Sequence, residues 1–264
     1  MTVPGNRADA ALAALRGPAA VGRPPVTTLS VDEAVLLDQR GMHPLGLVCG
    51  ASVVQVAAFA RLAVGYSDNG EMTHLSQALE TSRETAVNRL GHAAGELGAA
   101  GVVGVAIDLG DLSGTSNLVR LVVTGTAVGS AAHRLGRPWT AALSGQEVHL
   151  LDRAGYQPLG IVSGVCAYHV GRRSFSAWSN SVTVNQEMTI YTQALSDARE
   201  LAMGRLQEAA LRLGADGVVG VAITERSGVW GSHVIEFAAL GTAVRSSGEH
   251  VALDPRLVID LSGN

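Results

Sequence analysis

Metal or acyl-transfer chemistry needs several Cys, His or carboxylate side chains converging on one point, three or four of them for a borderline metal. His43, His74, His92, His169 and His233, with Cys49 and Cys166, stand singly along the chain without CxxC or HxxxH spacing. Cys49 lies in an apolar stretch, where a lone thiol acts as a small core residue. Arg83-Glu84 and Arg199-Glu200, with Arg89 and Arg205, have spacings that make ion pairs along the surface of a helix. No nucleophile with its base and orienting partner, no P-loop and no dinucleotide fingerprint occurs. The expectation is a protein that is not an enzyme, has no cofactor, and has no residue assignable to a metal.

These residues are carried on a duplicated framework. LGAAGVVGVAI (Leu97 to Ile107) returns as LGADGVVGVAI (Leu213 to Ile223), EMTxxxQAL from Glu71 returns from Glu187, and GTAV from Gly125 returns from Gly241. All three pairs share an offset of 116 residues, which falls to 114 upstream, where HPLGLVCG from His43 pairs with QPLGIVSG from Gln157. Two domains of roughly 110 residues follow. In this alignment His43 faces Gln157, His74 faces Ile190, His92 faces Glu208, His169 faces Gln55 and His233 faces Asn117, so no histidine is shared by the copies. Cys49 matches Ser163 and Cys166 matches Ser52, which argues against a disulfide framework.

With 264 residues, 47% of them hydrophobic and 16% charged, the chain can bury a substantial core. A net charge of −4 without a basic run excludes electrostatic capture of nucleic acid. The chain has no apolar run of the ~18 residues a membrane span requires, and its first residues lack a signal-peptide pattern. A cytoplasmic protein with no nucleic-acid or membrane partner is expected.

Each copy opens with Pro-Leu-Gly and an apolar stretch, Leu45 to Val56 and Leu159 to Val170, that favours a strand. Leu75, Leu79, Ser82, Ala86, Leu90, Ala93 and Leu97, and their counterparts Tyr191, Leu195, Ala198, Ala202, Leu206, Ala209 and Leu213, form one face of a long amphipathic helix. Thr73 and Thr189 are placed as N-caps, with Glu71 and Glu187 favourably charged beside them, and Gly98 and Gly214 as C-terminal stops. Val103, Val105 and Ile107 alternate with small residues and precede a turn and Leu118 to Val128, the reading of an antiparallel hairpin repeated at Val234 to Val244. The fold class is α+β: two tandem β-α-β-β domains, each a helix packed on a small antiparallel sheet. One helix on a three-stranded sheet leaves two open edges, which assembly can cover.

RPPVTTLSVDE (Arg23 to Glu33) resembles RPWTAALSGQE (Arg137 to Glu147), and the chain closes with PRLVIDLSGN (Pro255 to Asn264), so three strand-like segments ending in Leu-Ser serve two domains. The outer two, Val26 to Ser30 and Val258 to Ser262, either join sheet edges of neighbouring subunits or fold back on their own domains, and the residues leave both open. The expected boundaries are a flexible tail at 1–25, the first repeat at 26–134, the second at 135–250, and a C-terminal strand-like tail at 251–264. The loops before the helices diverge, RLAVGYSDNG against RRSFSAWSNS, and such loops on a shared scaffold carry specific contacts. Val26, Leu29, Tyr66, Phe175, Trp178, Val258, Ile259 and Leu261 are the candidate assembly residues. Arg120 aligns with Glu236, a charge reversal compatible with mixed contacts between repeats or with surface drift.

The helix ending in LGADGVVGVAI and the strand closing in GTAV resemble the YbjQ-like family, labelled a putative heavy-metal-binding domain. The resemblance spans nearly all of both copies and implies a pentamer-forming β-α-β-β subunit whose extra short strands join neighbours. A tandem of ring-formers is bivalent and can link rings into a closed shell. The expectation is therefore a self-assembling structural protein, a large homo-oligomer built from five-fold rings and forming a hollow cage, whose partners are itself, a homologous subunit or a cargo. The alternative is a metal-binding ring-shaped oligomer.

Overall fold

The computed structural model describes residues 24–55, 69–111, 118–130, 136–171, 189–227, 230 and 233–248. In the first repeat, helix α1 (Val31–Asp38) leads into strand β1 (Met42–Gln55), followed by β2 (Gly70–Glu71), helix α2 (Thr73–Glu96), β3 (Gly101–Asp111) and β4 (Leu118–Ser130). The second comprises β5 (Trp139–Thr140), helix α3 (Gly145–Arg153), β6 (Tyr156–His169), helix α4 (Thr189–Arg212), β7 (Gly217–Ser227) and β8 (Val234–Ser246). The fold is α+β with the expected long helix on an antiparallel sheet in each repeat.

In each sheet the last strand is central: β4 lies between β1 and β3, and β8 lies between β6 and β7. The register is the same in both, Leu47 opposite Thr126 and Ile161 opposite Thr242. Alternation along β3 is broken by a bulge between Val103 and Ala106 where Gly104 has φ +61°, so Val102, Val103 and Val105 are all buried. Gly220, φ +60°, repeats that bulge in β7. Gly98 and Gly214 end the long helices in left-handed conformation, as their positions predict.

Glycine also sets how closely helix and sheet approach. A β-carbon on Gly50 would overlap the backbone of Ala86 and Leu90 on α2, and one on Gly164 would overlap Ala202 and Leu206 on α4. Around these contacts the first repeat buries Val48, Ala86, Leu90, Val102, Leu121 and Val123. The second buries Cys166, Ala198, Ala202, Ile235 and Phe237 on the same side of its sheet.

Two expectations are corrected. Thr73 is the first residue of α2 and not its cap; the cap is Met72, with no side-chain bond. Met72 is buried and its amide donates to the carbonyl of Ala167 in the other repeat, so tertiary packing fixes the start of this helix. Helices α1 and α3 are additional, for the Leu-Ser segments continue into helix: Ser30 and Ser144 are N-caps closing capping boxes with Glu33 and Glu147. The side chain of Thr189 lies outside the described residues.

Candidate assembly interface

The two sheets each contain four strands because the repeats exchange one. β5, from the segment leading into the second repeat, lies parallel to β3 of the first, with Trp139 opposite Gly101 and Thr140 opposite Val102. The pairing continues past β5: Ala141 donates to the carbonyl of Val102, Gly104 to that of Leu143, and Val105 to that of Ala141. In return β2 of the first repeat joins β6 of the second, Gly70 opposite His169 and Glu71 opposite Tyr168.

Helix α2 covers the outer face of β6. Because strand residues alternate in direction, the even positions Gly164, Cys166 and Tyr168 meet the second repeat's own helix. The odd positions Val165 and Ala167 meet Met72, Leu75 and Leu79 of the first, together with Trp230 and Val234. Both Val165 and Ala167 are fully buried there.

Several polar groups pair across this seam. Arg83 on α2 donates from Nη2 to Glu236 Oε1 on β8 at 3.0 Å, and Trp230 Nε1 donates to Glu236 Oε2 at 2.8 Å. Glu71 Oε1 lies 2.7 Å from Arg205 Nη2. The amide of Ala167 donates to Ser76 Oγ at 2.9 Å, and the amide of Val165 and the hydroxyl of Ser163 both donate to Glu80. Burial raises the pKa of the Glu80 carboxyl, against the opposing pull of Arg83. Burial likewise pushes the Cys166 thiol up to about 12, with the Glu71 carboxylate adding to it. That thiol is a core group at neutral pH.

The leading segments form a third contact. Leu37 of α1, Leu143, Val148 of α3, Val103 and Val128 pack together, with Leu29 half-buried against them. Gly145 donates to Glu33 Oε1 at 3.0 Å, His149 meets the Leu36 carbonyl, and Arg40 pairs with Asp152. Each leading segment is fixed to the repeat that follows it in the same way: Thr28 donates its amide to Thr126 Oγ1 at 3.0 Å, and Ala142 donates to Thr242 Oγ1 at 3.1 Å.

Of the candidate assembly residues, Val26 is exposed and Leu29 packs beside α1, in a segment that forms no strand within the single chain. Tyr66, Phe175, Trp178, Val258, Ile259 and Leu261 lie outside the described residues. The arginines read as helix-surface partners are corrected: Arg83 is 7% exposed and Arg205 reaches the other repeat, so both serve the seam. The Arg120/Glu236 reversal is the signal that marked it. Cys49 is also corrected, for it sits on the exposed outer face of β1. Among the described residues no group of three or more His, Cys, Asp or Glu is placed to hold a metal ion, and no helix is long and apolar enough to cross a membrane.

Comparison with known proteins agrees with this duplicated architecture. A family model described as putative heavy-metal-binding matches residues 31–131 and again 150–247. An encapsulin nanocompartment protein of Mycobacterium tuberculosis is 34% identical over 240 residues, covering 88% of this chain and 90% of that protein. UPF0145 proteins of Vibrio campbellii and Archaeoglobus fulgidus are each 42% identical over 88 and 89 residues, which is 33% of this chain and 81% and 79% of theirs. Those two match the length of a single repeat.

Proposed function

Because this chain belongs to the YbjQ family, described as putative heavy-metal-binding, and carries two of its domains in tandem, we propose that it is a self-assembling structural protein whose copies build a closed hollow shell. The observation that carries this reading is the seam between the repeats. It is head-to-tail: helix and β3 edge on one side, outer sheet face and leading segment on the other. A contact of that kind leaves its two complementary halves free at the ends of the chain, and repetition about a rotation axis closes a ring. Likeness to an encapsulin nanocompartment protein over most of both lengths supports a shell over an isolated ring.

In this reading the rings are five-fold, the shell is cytoplasmic and encloses a cargo, and the protein performs no catalysis. Arg83 pairs with Glu236 and Arg205 with Glu71 across the seam, as structural ion pairs do. The test is the native mass of the purified protein by light scattering, with and without chelator, and an image of the main species. Hollow particles of many chains, indifferent to chelator, are expected. A small ring that holds stoichiometric metal and falls apart when it is removed would replace this function with metal binding.

A further inference from the structure

The duplication allows every surface buried between the repeats to be compared with its counterpart at the ends of the chain. On β6 the outward residues Val165 and Ala167 are fully buried under α2; their counterparts on β1, Ala51 and Val53, are exposed, Val53 by 57%. On α2, Ser76 and Arg83 are buried; their counterparts on α4, Thr192 and Arg199, are exposed. Val105 of β3, whose amide donates to the carbonyl of Ala141 in the added segment, is buried, whereas Val221 and Ile223 of β7 are 40% and 55% exposed. On α3, Gly145, Val148 and His149 are buried, while the counterparts Val31 and Val35 of α1 stand out in solvent.

Among the described residues, one half of each kind remains uncovered. The first repeat has used its helix and β3 edge, and the second has used its outer sheet face. What is left is the helix and β7 edge of the second repeat, and the sheet face and leading segment of the first. We infer that a second copy of this chain closes this surface, α4 of one copy lying on the outer face of β1 of the next, and β7 taking residues 25–29 of that copy as a parallel strand. The inference rests on the self-assembly proposed above and names its seam.

The leading segment is already positioned for this, since the Thr28–Thr126 bond holds it on its own repeat as the Ala142–Thr242 bond holds β5. Transferred by the repeat offset, Thr27 would donate to the Val218 carbonyl, Val221 to that of Thr27, and Gly220 to that of Leu29. The bond that Trp139 donates to Ala100 has no equivalent, because Pro25 stands in that place without an N–H.

Two further differences make the seam between chains looser than the one within them. Val31 replaces Gly145, whose missing side chain lets α1 and α3 touch. Arg199 meets Arg120, which is held at 3.4 Å from Asp108, where Arg83 meets Glu236. Like charges in place of a pair weaken a contact. The seam within a chain and the seam between chains are then alike in plan and unlike in strength.

The test joins two chains that each carry one new thiol in a Cys49→Ser background, Val26→Cys in one and Val218→Cys in the other. These positions correspond to Thr140 and Val102, which are paired across parallel strands; neighbouring strands lie about 4.8 Å apart, within disulfide reach. Co-assembled and oxidised, the pair is expected to give a two-chain disulfide species that neither gives alone. Particles of normal mass without this cross-link would overturn the inference and leave the shell standing, whereas absence of particles from the parent protein would overturn the shell. A cross-link that appears only after removal of residues 255–264 would show that the chain's own tail holds β7, and would also overturn it. As a second measurement, Arg120→Glu restores the charge pairing of the inner seam and is expected to lower the protein concentration at which rings dissociate by about tenfold; easier dissociation would count against the seam.

Discussion

Arg83 and Glu236 are 153 residues apart in sequence, meet at 3.0 Å across the two repeats, and are both almost fully withdrawn from solvent. A pair in that position is far more sensitive to loss of one partner than to loss of both. Arg83→Met leaves the buried Glu236 carboxylate with, among the described residues, the Trp230 indole as its donor and is expected to cost about 3–5 kcal/mol. Adding Glu236→Gln, which keeps an acceptor for Trp230, should recover most of that loss. Denaturant unfolding of the two single variants and the double variant measures the coupling.

Replacement of Gly164 by Ala forces a methyl group against the backbone of Ala202 and Leu206. Backbone cannot move aside as a side chain can, so at least about 1–3 kcal/mol should be lost. Gly204→Ala, where a β-carbon meets nothing within 4 Å, serves as the control and should raise the melting temperature.

Ser144→Ala removes the acceptor for the Glu147 amide and the hydroxyl bonded to the Glu147 carboxylate. A loss of about 1 kcal/mol is expected. Since α3 packs against α1 of the first repeat, protection of the Gly145 amide from hydrogen exchange, which depends on Glu33, should fall with it.

Glu80 supplies a pH dependence of definite sign. Its carboxyl is held above the usual 4.5 by burial, so the folded chain binds that proton more tightly than the unfolded chain. The stability this contributes is full below about pH 4.5 and is lost as pH rises through the raised value. Relative to Glu80→Gln, the wild-type melting temperature should therefore decline across that interval; a constant difference would show that folding does not raise this carboxyl's pKa.

Removal of Val258 to Asn264 tests the third Leu-Ser segment. If this tail ties rings to one another, the truncated protein should form rings of a few chains in place of the large particle, as read by light scattering. An unchanged particle would assign the tail to its own domain.

The repeat, the long helices and their glycine stops were legible because periodicity and left-handed glycine are local properties, visible in Leu75 to Leu97 and in Gly98. The seam was not legible in the same way. Arg83 has the spacing of an exposed helix arginine, and nothing local reveals that β8 of another repeat lies against it. Only the comparison of Arg120 with Glu236 pointed there, and it was balanced by drift. Helices α1 and α3 had a local signal in Ser30-x-x-Glu33 and Ser144-x-x-Glu147, which the recurring Leu-Ser ending obscured.

The seam between the repeats lies within a single polypeptide, connected by the short stretch between β4 and β5. Such a contact closes at an effective concentration in the millimolar range for short connections, whatever the amount of protein in solution. Dilution therefore acts on contacts between chains alone. The smallest species it releases is a chain whose two repeats remain locked together, and growth from that species requires half as many bimolecular encounters as a shell of separate domains.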